Sequence, residues 1–337
     1  MIPHRALITG ASGQDGRLLL AALTERGWTT TGVVGPSRHR ELDIAPPGDA
    51  ECVAVDLGDV DACASVVEMV RPDVIFHLAA VSSVGQSWQD PVHTGQVNAQ
   101  ATAALLTAAR DLVRDGHPVH VVNASSGEIF AGTDSAPQNE STPICPTSPY
   151  GVSKAYGHLL AAAFRAQGVG VSNAILYPHE SPLRAPHFVT RKITRAVAEI
   201  AAGTRSELAL GNLAARRDWG WAPDYVEAMI SMATERADDD FVVATGVSHS
   251  VADFAGAAFA AAGIADWHHH VRTDKSLFRP ADSIDLVGDS TRLRTTLGWR
   301  PTKTFSEVVA AMVEHDMASV EHADAAAQPA GSGRTVA

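Results

Sequence analysis

The sequence predicts an α/β protein, a doubly wound parallel sheet completed by a smaller C-terminal substrate-binding lobe. Three observations predict it. Short apolar runs alternate with helically spaced apolar residues through the first half of the 337-residue chain. A glycine-rich loop joins the first such run to the first helical pattern, and the alternation stops near residue 178. Alternating strands and helices bury both faces of a parallel sheet, and right-handed crossovers wind it in both directions.

Taken in order, residues 6–9 form a first strand, 17–26 a helix, 30–34 a second strand, 52–55 a third, 60–70 a helix and 74–78 a fourth strand. A long helix over 97–113 leads to a fifth strand at 119–123, and a helix over 150–166 leads to a strand at 172–176. The strands are short apolar runs; the helices carry apolar residues at three- and four-residue intervals. Beyond residue 178 a helix at 190–202, a short strand at 208–211 and a helix at 225–235 stand out, and the remaining elements look short and irregular. Residues 1–177 are thus expected to form the sheet domain, with some later segments returning to it. Residues 178–319 supply most of the second lobe. The Ala-, Gly-, Ser- and Pro-rich stretch 322–337 lacks periodicity and reads as a disordered tail.

A formal net charge of −12 opposes binding to a nucleic-acid backbone, which needs a cationic face, but permits a local basic pocket for a small anion. Three widely spaced cysteines without a C-x-x-C pair fit a reducing compartment better than a disulfide framework. With no signal-peptide pattern and no apolar run of about 18 residues, the expected location is the cytoplasm, away from membranes.

The loop Thr9-Gly-Ala-Ser-Gly-Gln-Asp-Gly16 follows a strand and opens a helix. Gly10, Gly13 and Gly16 let the backbone approach a pyrophosphate, which rests on the N–H groups at the helix start, with Gln14 and Asp15 in the same turn. This marks a Rossmann-type dinucleotide fold. No carboxylate ends the second strand. Arg38 and Arg40 follow it, which favours NADP, with NAD as the alternative. Asp56 and Leu57 are placed for the adenine edge, and Leu78, Ala79 and Ala80 for the pyrophosphate and nicotinamide ribose.

Tyr150 and Lys154 are four residues apart and share a helix face. The ammonium is expected to lower the tyrosine pKa, so that the phenolate takes a hydroxyl proton while hydride leaves the same carbon. The segment Asn123-Ala-Ser-Ser-Gly-Glu128 follows the fifth strand at the carboxyl edge of the sheet, where such folds put their ligands. Ser125 reads as a backbone-bonded turn residue, Ser126 as a partner for the substrate hydroxyl. Simple hydride transfer needs no nearby carboxylate, but taking a proton from the adjacent carbon needs a base, and Glu128 is placed for it.

At these residues the chain resembles the extended short-chain dehydrogenase/reductases, and within them the GDP-mannose 4,6-dehydratases, over about residues 5–315. The most specific blocks are His179-Glu-Ser-Pro182, Phe188-Val-Thr-Arg-Lys192 and Arg217-Asp-Trp-Gly-Trp-Ala-Pro-Asp-Tyr225. The resemblance implies that Tyr150 deprotonates the sugar 4-hydroxyl, that Glu128 takes the C5 proton and helps expel the 6-hydroxyl as water, and that GDP-mannose becomes a GDP-4-keto-6-deoxy sugar. Ser126 stands where the family usually has threonine. His179 falls to the cofactor. Ser83, Glu180, Lys192, Asn212, Arg217, Tyr225, Arg279 and Asp282 fall to the nucleotide sugar, Asn212 and Tyr225 with a structural role as the alternative. A homodimer or homotetramer is implied, with the 97–113 and 150–166 helices at the dimer contact.

Three departures stand out. The loop after the second strand reads Gly35-Pro-Ser-Arg-His instead of the family's Arg-rich form, Val81 replaces a glutamine, and Pro178 replaces an asparagine and removes a donor N–H. Trp267-His-His-His270 reads as a polar surface stretch, since adjacent side chains do not converge on a metal. The competing readings are a nucleotide-sugar epimerase or 4-keto reductase of the same fold, and a catalytically silent sugar-nucleotide-binding protein.

Overall fold

The computed structural model describes residues 4–36, 50–278 and 285–327. In chain order the first part reads β1 (Arg5–Thr9), α1 (Gln14–Glu25), β2 (Thr29–Val34), β3 (Glu51–Ala54), α2 (Val60–Val70), β4 (Val74–His77), α3 (Val84–Gln89), α4 (Pro91–Gly95), α5 (Ala101–Arg114), β5 (His120–Ser126), α6 (Pro149–Arg165) and β6 (Gly170–Leu176). There follow β7 (His179–Glu180), α7 (Val189–Ala201), β8 (Leu208–Leu210), β9 (Arg216–Arg217), β10 (Gly220–Trp221) and α8 (Ala222–Thr234). The chain ends with β11 (Asp240–Val243), β12 (His249–Ser250), α9 (Val251–Ala261), β13 (Val271–Thr273), β14 (Asp285–Leu286), α10 (Thr291–Leu297) and α11 (Phe305–Ala327).

The main sheet has the order β11-β6-β5-β4-β1-β2-β3, and its neighbours are all parallel. The strand order reverses between β1 and β4, the position where an open α/β sheet leaves a crevice for a ligand at its carboxyl edge. Alternate side chains of each strand serve opposite faces. Ile8 and Phe76 pack with Leu19 and Leu23 of α1 and Met229 of α8. Leu7, Ile75 and Val121 pack with Val67 of α2 and Leu105 and Leu106 of α5. Each such buried side chain contributes about 1.5–3 kcal/mol.

The second lobe has its own core, in which Ile193 and Val197 of α7 meet Phe254 and Phe259 of α9 and Val309 and Met312 of α11. Two later segments pack on the first domain: α8 lies against α1, and β11 pairs with β6 as an edge strand of the sheet.

Several elements differ from the sequence expectation. Helix α1 begins at Gln14, before the first apolar residue of its pattern, because the glycine loop runs straight into it with Gly13 as N-cap. The expected helix at 97–113 is preceded by α3 and α4, whose polar sequences carry no apolar stripe and are set instead by the Ser83 and Asp90 caps. It also opens with a π-helical turn, Gln96–Gln100. The C-terminal elements are not all short, since α9 has 11 residues and α11 has 23. Both are rich in alanine, which favours helix but blurs the apolar periodicity. Helix α11 runs to Ala327, so residues 322–327 are helical and not a tail; 328–337 lie outside the described residues.

Candidate active site

A cleft of about 1180 Å³ runs along the carboxyl edge of the sheet and under the second lobe. Its floor is the glycine loop. Gly10 has φ +75°, and a Cβ there would stand 2.9 Å from the Ala79 backbone; at Gly16 it would stand 2.3 Å from the Gly10 carbonyl oxygen. Only glycines let this loop fold so tightly against the start of α1 and the end of β4, the cradle that brings backbone close to a pyrophosphate. Gly10, Gly13, Gln14, Asp15 and Gly16 all line the cleft, as do Asp56 and Leu57 beyond β3 and Leu78, Ala79 and Ala80 beyond β4. These residues fit a dinucleotide. Arg38, expected at its ribose, lies outside the described residues.

The turn after β4 is pinned by a buried relay. Thr9 Oγ1 accepts the Leu78 and Ala79 N–H groups at 3.2 Å each, and it meets His77 Nδ1 at 2.8 Å. Having accepted twice, the hydroxyl gives its proton to Nδ1. His77 Nε2 then donates to Thr102 Oγ1 at 3.0 Å, and Thr102 donates to the Asn98 carbonyl at 2.6 Å. Burial pushes the His77 pKa down to about 3, so the ring is neutral, as this relay requires.

The chemistry-bearing side chains meet where β5 ends and α6 begins. Ser126 closes β5, and its hydroxyl accepts the Glu128 N–H at 3.2 Å, so the chain turns at once into the short 3-10 turn that carries Glu128. Ser148 caps α6 through the Gly151 N–H at 3.1 Å. Tyr150 follows in the first turn, its own N–H held by Ser87 Oγ at 3.2 Å and its carbonyl by Ser153 Oγ at 2.7 Å. Asn98 in turn donates to Ser153 Oγ at 3.0 Å and holds the Val81 backbone N–H at 2.8 Å. Ser126, Glu128, Tyr150 and Lys154 line the same cleft as the glycine loop, with the Ser126 hydroxyl near the Tyr150 phenol.

Two expectations at this end are corrected. Lys154 does not lower the Tyr150 pKa here. It donates to the Ala124 carbonyl at 2.7 Å and is itself pushed down to about 8 by burial, while burial pushes the Tyr150 phenol up to about 12 against the opposing effect of the nearby Ser126 hydroxyl. Ser125 is not a backbone-bonded turn residue. It lies inside β5 and pairs with His158 Nδ1 at 3.2 Å, because the strand runs on to Ser126.

The opposite wall belongs to the second lobe. Glu180, Lys192, Asn212 and Arg217 line it, whereas Ser83 lines the cleft from the sheet domain, as N-cap of α3. Glu180 is buried. It accepts the Thr190 hydroxyl at 2.6 Å and pairs with Arg184 at 3.3 Å, and burial raises its pKa. Lys192 donates to the Ala209 carbonyl at 2.7 Å, and Arg217 to the Arg216 carbonyl at 2.7 Å. Arg184 was missed in the sequence; it lies in the turns between β7 and α7, where no local periodicity marks it. It also lies 3.7 Å over the Phe188 ring. Tyr225 does not line the cleft. It is fully buried, stacked 4.5 Å from the His179 ring and crowded against Gly220, so it acts as core. Arg279 and Asp282 lie outside the described residues.

His179 lines the cleft, but both ring nitrogens are engaged, Nδ1 with the Tyr177 carbonyl at 2.7 Å and Nε2 with Asp15 at 2.8 Å. Pro178 gives its carbonyl to the Gly220 N–H at 2.9 Å, in the short pairing of β7 with β10. Among the described residues no cluster of three or more His, Cys, Asp or Glu is arranged to hold a metal. His268 stacks on Trp267 and His270 on Phe259, while His269 pairs with Asp266.

The sequence pattern of the family described as GDP-mannose 4,6 dehydratase matches residues 7–312, almost the whole chain and both walls of the cleft. The chain belongs to this family. GDP-mannose 4,6 dehydratase 1 of Arabidopsis thaliana is 38% identical over 324 residues, covering 93% of this chain and 89% of the relative. The GDP-mannose 4,6 dehydratase of Homo sapiens is 36% identical, covering 93% and 91%. Among solved structures, the dTDP-glucose 4,6-dehydratase DesIV of Streptomyces venezuelae, with NAD and TYD bound, superposes with a TM-score of 0.78 at 25% identity, covering 92% of this chain and 96% of that one. A UDP-glucose 4-epimerase of Thermotoga maritima superposes at 0.82 with 21% identity, over 94% and 99%, which shows the shared Rossmann fold. Among the described residues no helix is long and apolar enough to cross a membrane.

Proposed function

We propose that this member of the GDP-mannose 4,6-dehydratase family removes water from GDP-D-mannose to give GDP-4-keto-6-deoxy-D-mannose, with Ser126, Glu128, Tyr150 and Lys154 as its catalytic residues. The observation that carries the reading is that these four side chains line one cleft with the glycine loop, in a chain whose relatives bear that activity in their names. Gly10, Gly13, Gln14 and Gly16 would hold a nicotinamide dinucleotide, which would supply hydride acceptance from C4 of the hexose and hydride return at C6. NADP is the expected form, through Arg38.

Tyr150 removes the proton from the 4-hydroxyl, with Ser126 sharing that hydrogen bond. Lys154, held by the Ala124 carbonyl beside Tyr150, orients the ribose. The new ketone acidifies C5–H. Glu128 takes that proton and returns it to the departing 6-hydroxyl, which leaves as water. Tyr150 then gives a proton back at C5. Lys192, Asn212 and Arg217, with Arg279 and Asp282, hold the nucleotide. Arginine matches phosphate oxygens with a fork of donors. Residues 1–177 serve the dinucleotide and most of 178–319 the nucleotide sugar.

The enzyme works in the cytoplasm as a homodimer or a homotetramer. Exposed Val152, Tyr156 and Leu159 on α6 give the dimer an apolar face beside α5. Sedimentation as a monomer would contradict that assembly. The activity is tested by incubating the protein with GDP-mannose and NADP⁺ or NAD⁺. A product lighter by one water and carrying a keto group is expected. Isomerised GDP-sugar of unchanged mass would mark an epimerase, net NADPH consumption in a parallel assay with a keto-sugar a reductase, and binding without turnover a silent sugar-nucleotide binder.

A further inference from the structure

The helix end that should receive a pyrophosphate carries a carboxylate. Asp15 lies in the first turn of α1 and lines the cleft beside the loop glycines. A bare carboxylate there favours the helix dipole but repels a dinucleotide pyrophosphate. The fold meets it with an imidazole brought from 164 residues away. His179 Nδ1 must donate to the Tyr177 carbonyl, because a carbonyl only accepts. Its Nε2, at 2.8 Å from a carboxylate oxygen, then carries the second proton, and the ring is an imidazolium. Gln14 completes the contact. It donates to the His179 carbonyl and to Asp15 at 3.0 Å each, and accepts the Ser181 hydroxyl at 2.9 Å.

We propose that His179 is a positioning residue that cancels the charge of Asp15, so that the glycine loop accepts a dinucleotide pyrophosphate while Gln14 and Asp15 tie that loop to the substrate lobe. The proposal rests on the dinucleotide reading above. It gives the Gln14-Asp15 pair a use that the pyrophosphate alone does not explain. The groups facing the imidazolium are Asp15 and Gln14 from α1, Glu180 and Arg184 from the segment after it, and the Tyr225 ring stacked from α8. Burial opposes the charge on both partners. Even so, Asp15 holds the His179 pKa above its ordinary value, and His179 holds that of Asp15 below. The imidazolium is lost as pH rises through the raised pKa, leaving Asp15 uncompensated.

The test compares wild type, His179→Gln, Asp15→Asn and the double variant, each stripped of bound dinucleotide. NADP⁺ and NAD⁺ affinities are measured by calorimetry across pH, and thermal unfolding is followed without ligand. Glutamine keeps a neutral donor toward Asp15, so His179→Gln should weaken dinucleotide binding by about tenfold or more. Asp15→Asn/His179→Gln should recover to within about threefold of wild type, which a purely structural latch would not do. Wild-type affinity should fall at high pH, and the double variant should lose that fall. A double variant as weak as His179→Gln, or a flat wild-type profile, overturns the proposal. Should His179→Gln fail to fold, the pH profile of Asp15→Asn against wild type decides it, the fall persisting in Asp15→Asn being the adverse result. Wild type that binds neither dinucleotide would instead sink the dinucleotide reading itself.

Discussion

On the sheet side of the cleft, Ser126, Glu128, Tyr150 and Lys154 come from the end of one strand and the first two turns of one helix. Their places are set by Ser126 and Ser148, which cap the 3-10 turn and α6. On the lobe side, Glu180, Lys192, Asn212 and Arg217 come from separate elements, and each already has a local partner: the Thr190 hydroxyl for Glu180, backbone carbonyls for Lys192 and Arg217, and the Ala214 N–H for Asn212. The first wall is preorganised by secondary structure, the geometry that transition-state stabilisation needs. The second offers groups that exchange local partners for a ligand, so its substitutions should act on binding more than on the chemical step.

The sharpest break in this comparison comes from the sheet side. Tyr150→Phe should lower turnover of GDP-mannose by about 1000-fold or more, with no change in nicotinamide absorbance when enzyme and sugar nucleotide are mixed. Glu128→Gln should lose dehydration by about 100-fold or more, yet still show that absorbance change in a single turnover, since C4 oxidation needs only Tyr150. Equal loss of both signals in the two variants would mean that Glu128 and Tyr150 do not have separate roles.

A smaller effect is expected across the cleft. Lys192→Met should raise KM for GDP-mannose by about tenfold with kcat nearly unchanged, as for removal of a charge-assisted contact. A fall in kcat with KM unaltered would erase the proposed division between the walls.

The smallest effect is on stability. Burial holds the Lys154 pKa at about 8, below its ordinary 10.5. Above pH 8 the folded protein sheds this proton while the unfolded chain keeps it, so the unfolded state binds more protons and stability rises with pH. Relative to Lys154→Met, the ligand-free wild type should gain on the order of 2 kcal/mol between about pH 7 and 10. The check is paired chemical denaturation at each pH, and a constant difference would show that Lys154 is not buried as described.

Much of the sheet wall was legible beforehand. The glycine spacing, the Tyr150–Lys154 interval and the Ser126-Gly-Glu128 segment after an apolar run each encode their position within a few residues, because strand and helix geometry converts short spacings into shared faces. The lobe was less legible. Alanine-rich α9 and α11 hide their periodicity, and Tyr225 sat in a recognisable block although its side chain is core packing. The burial that lifts Tyr150 and lowers Lys154 had no local signal at all.

By itself, the sequence determined the parallel sheet, the loop at its carboxyl edge and the family to which the chain belongs, since these rest on local periodicity and on residues close together in the chain. Only the tertiary structure decided that His179 reaches Asp15, that His77 stands neutral between Thr9 and Thr102, and that β11 returns to close the sheet. Those contacts join residues 25 to 164 positions apart, and strands whose paired residues, such as Asn173 and Asp240, are far apart in the sequence. Their charge states follow from burial and from partners that only folding brings together.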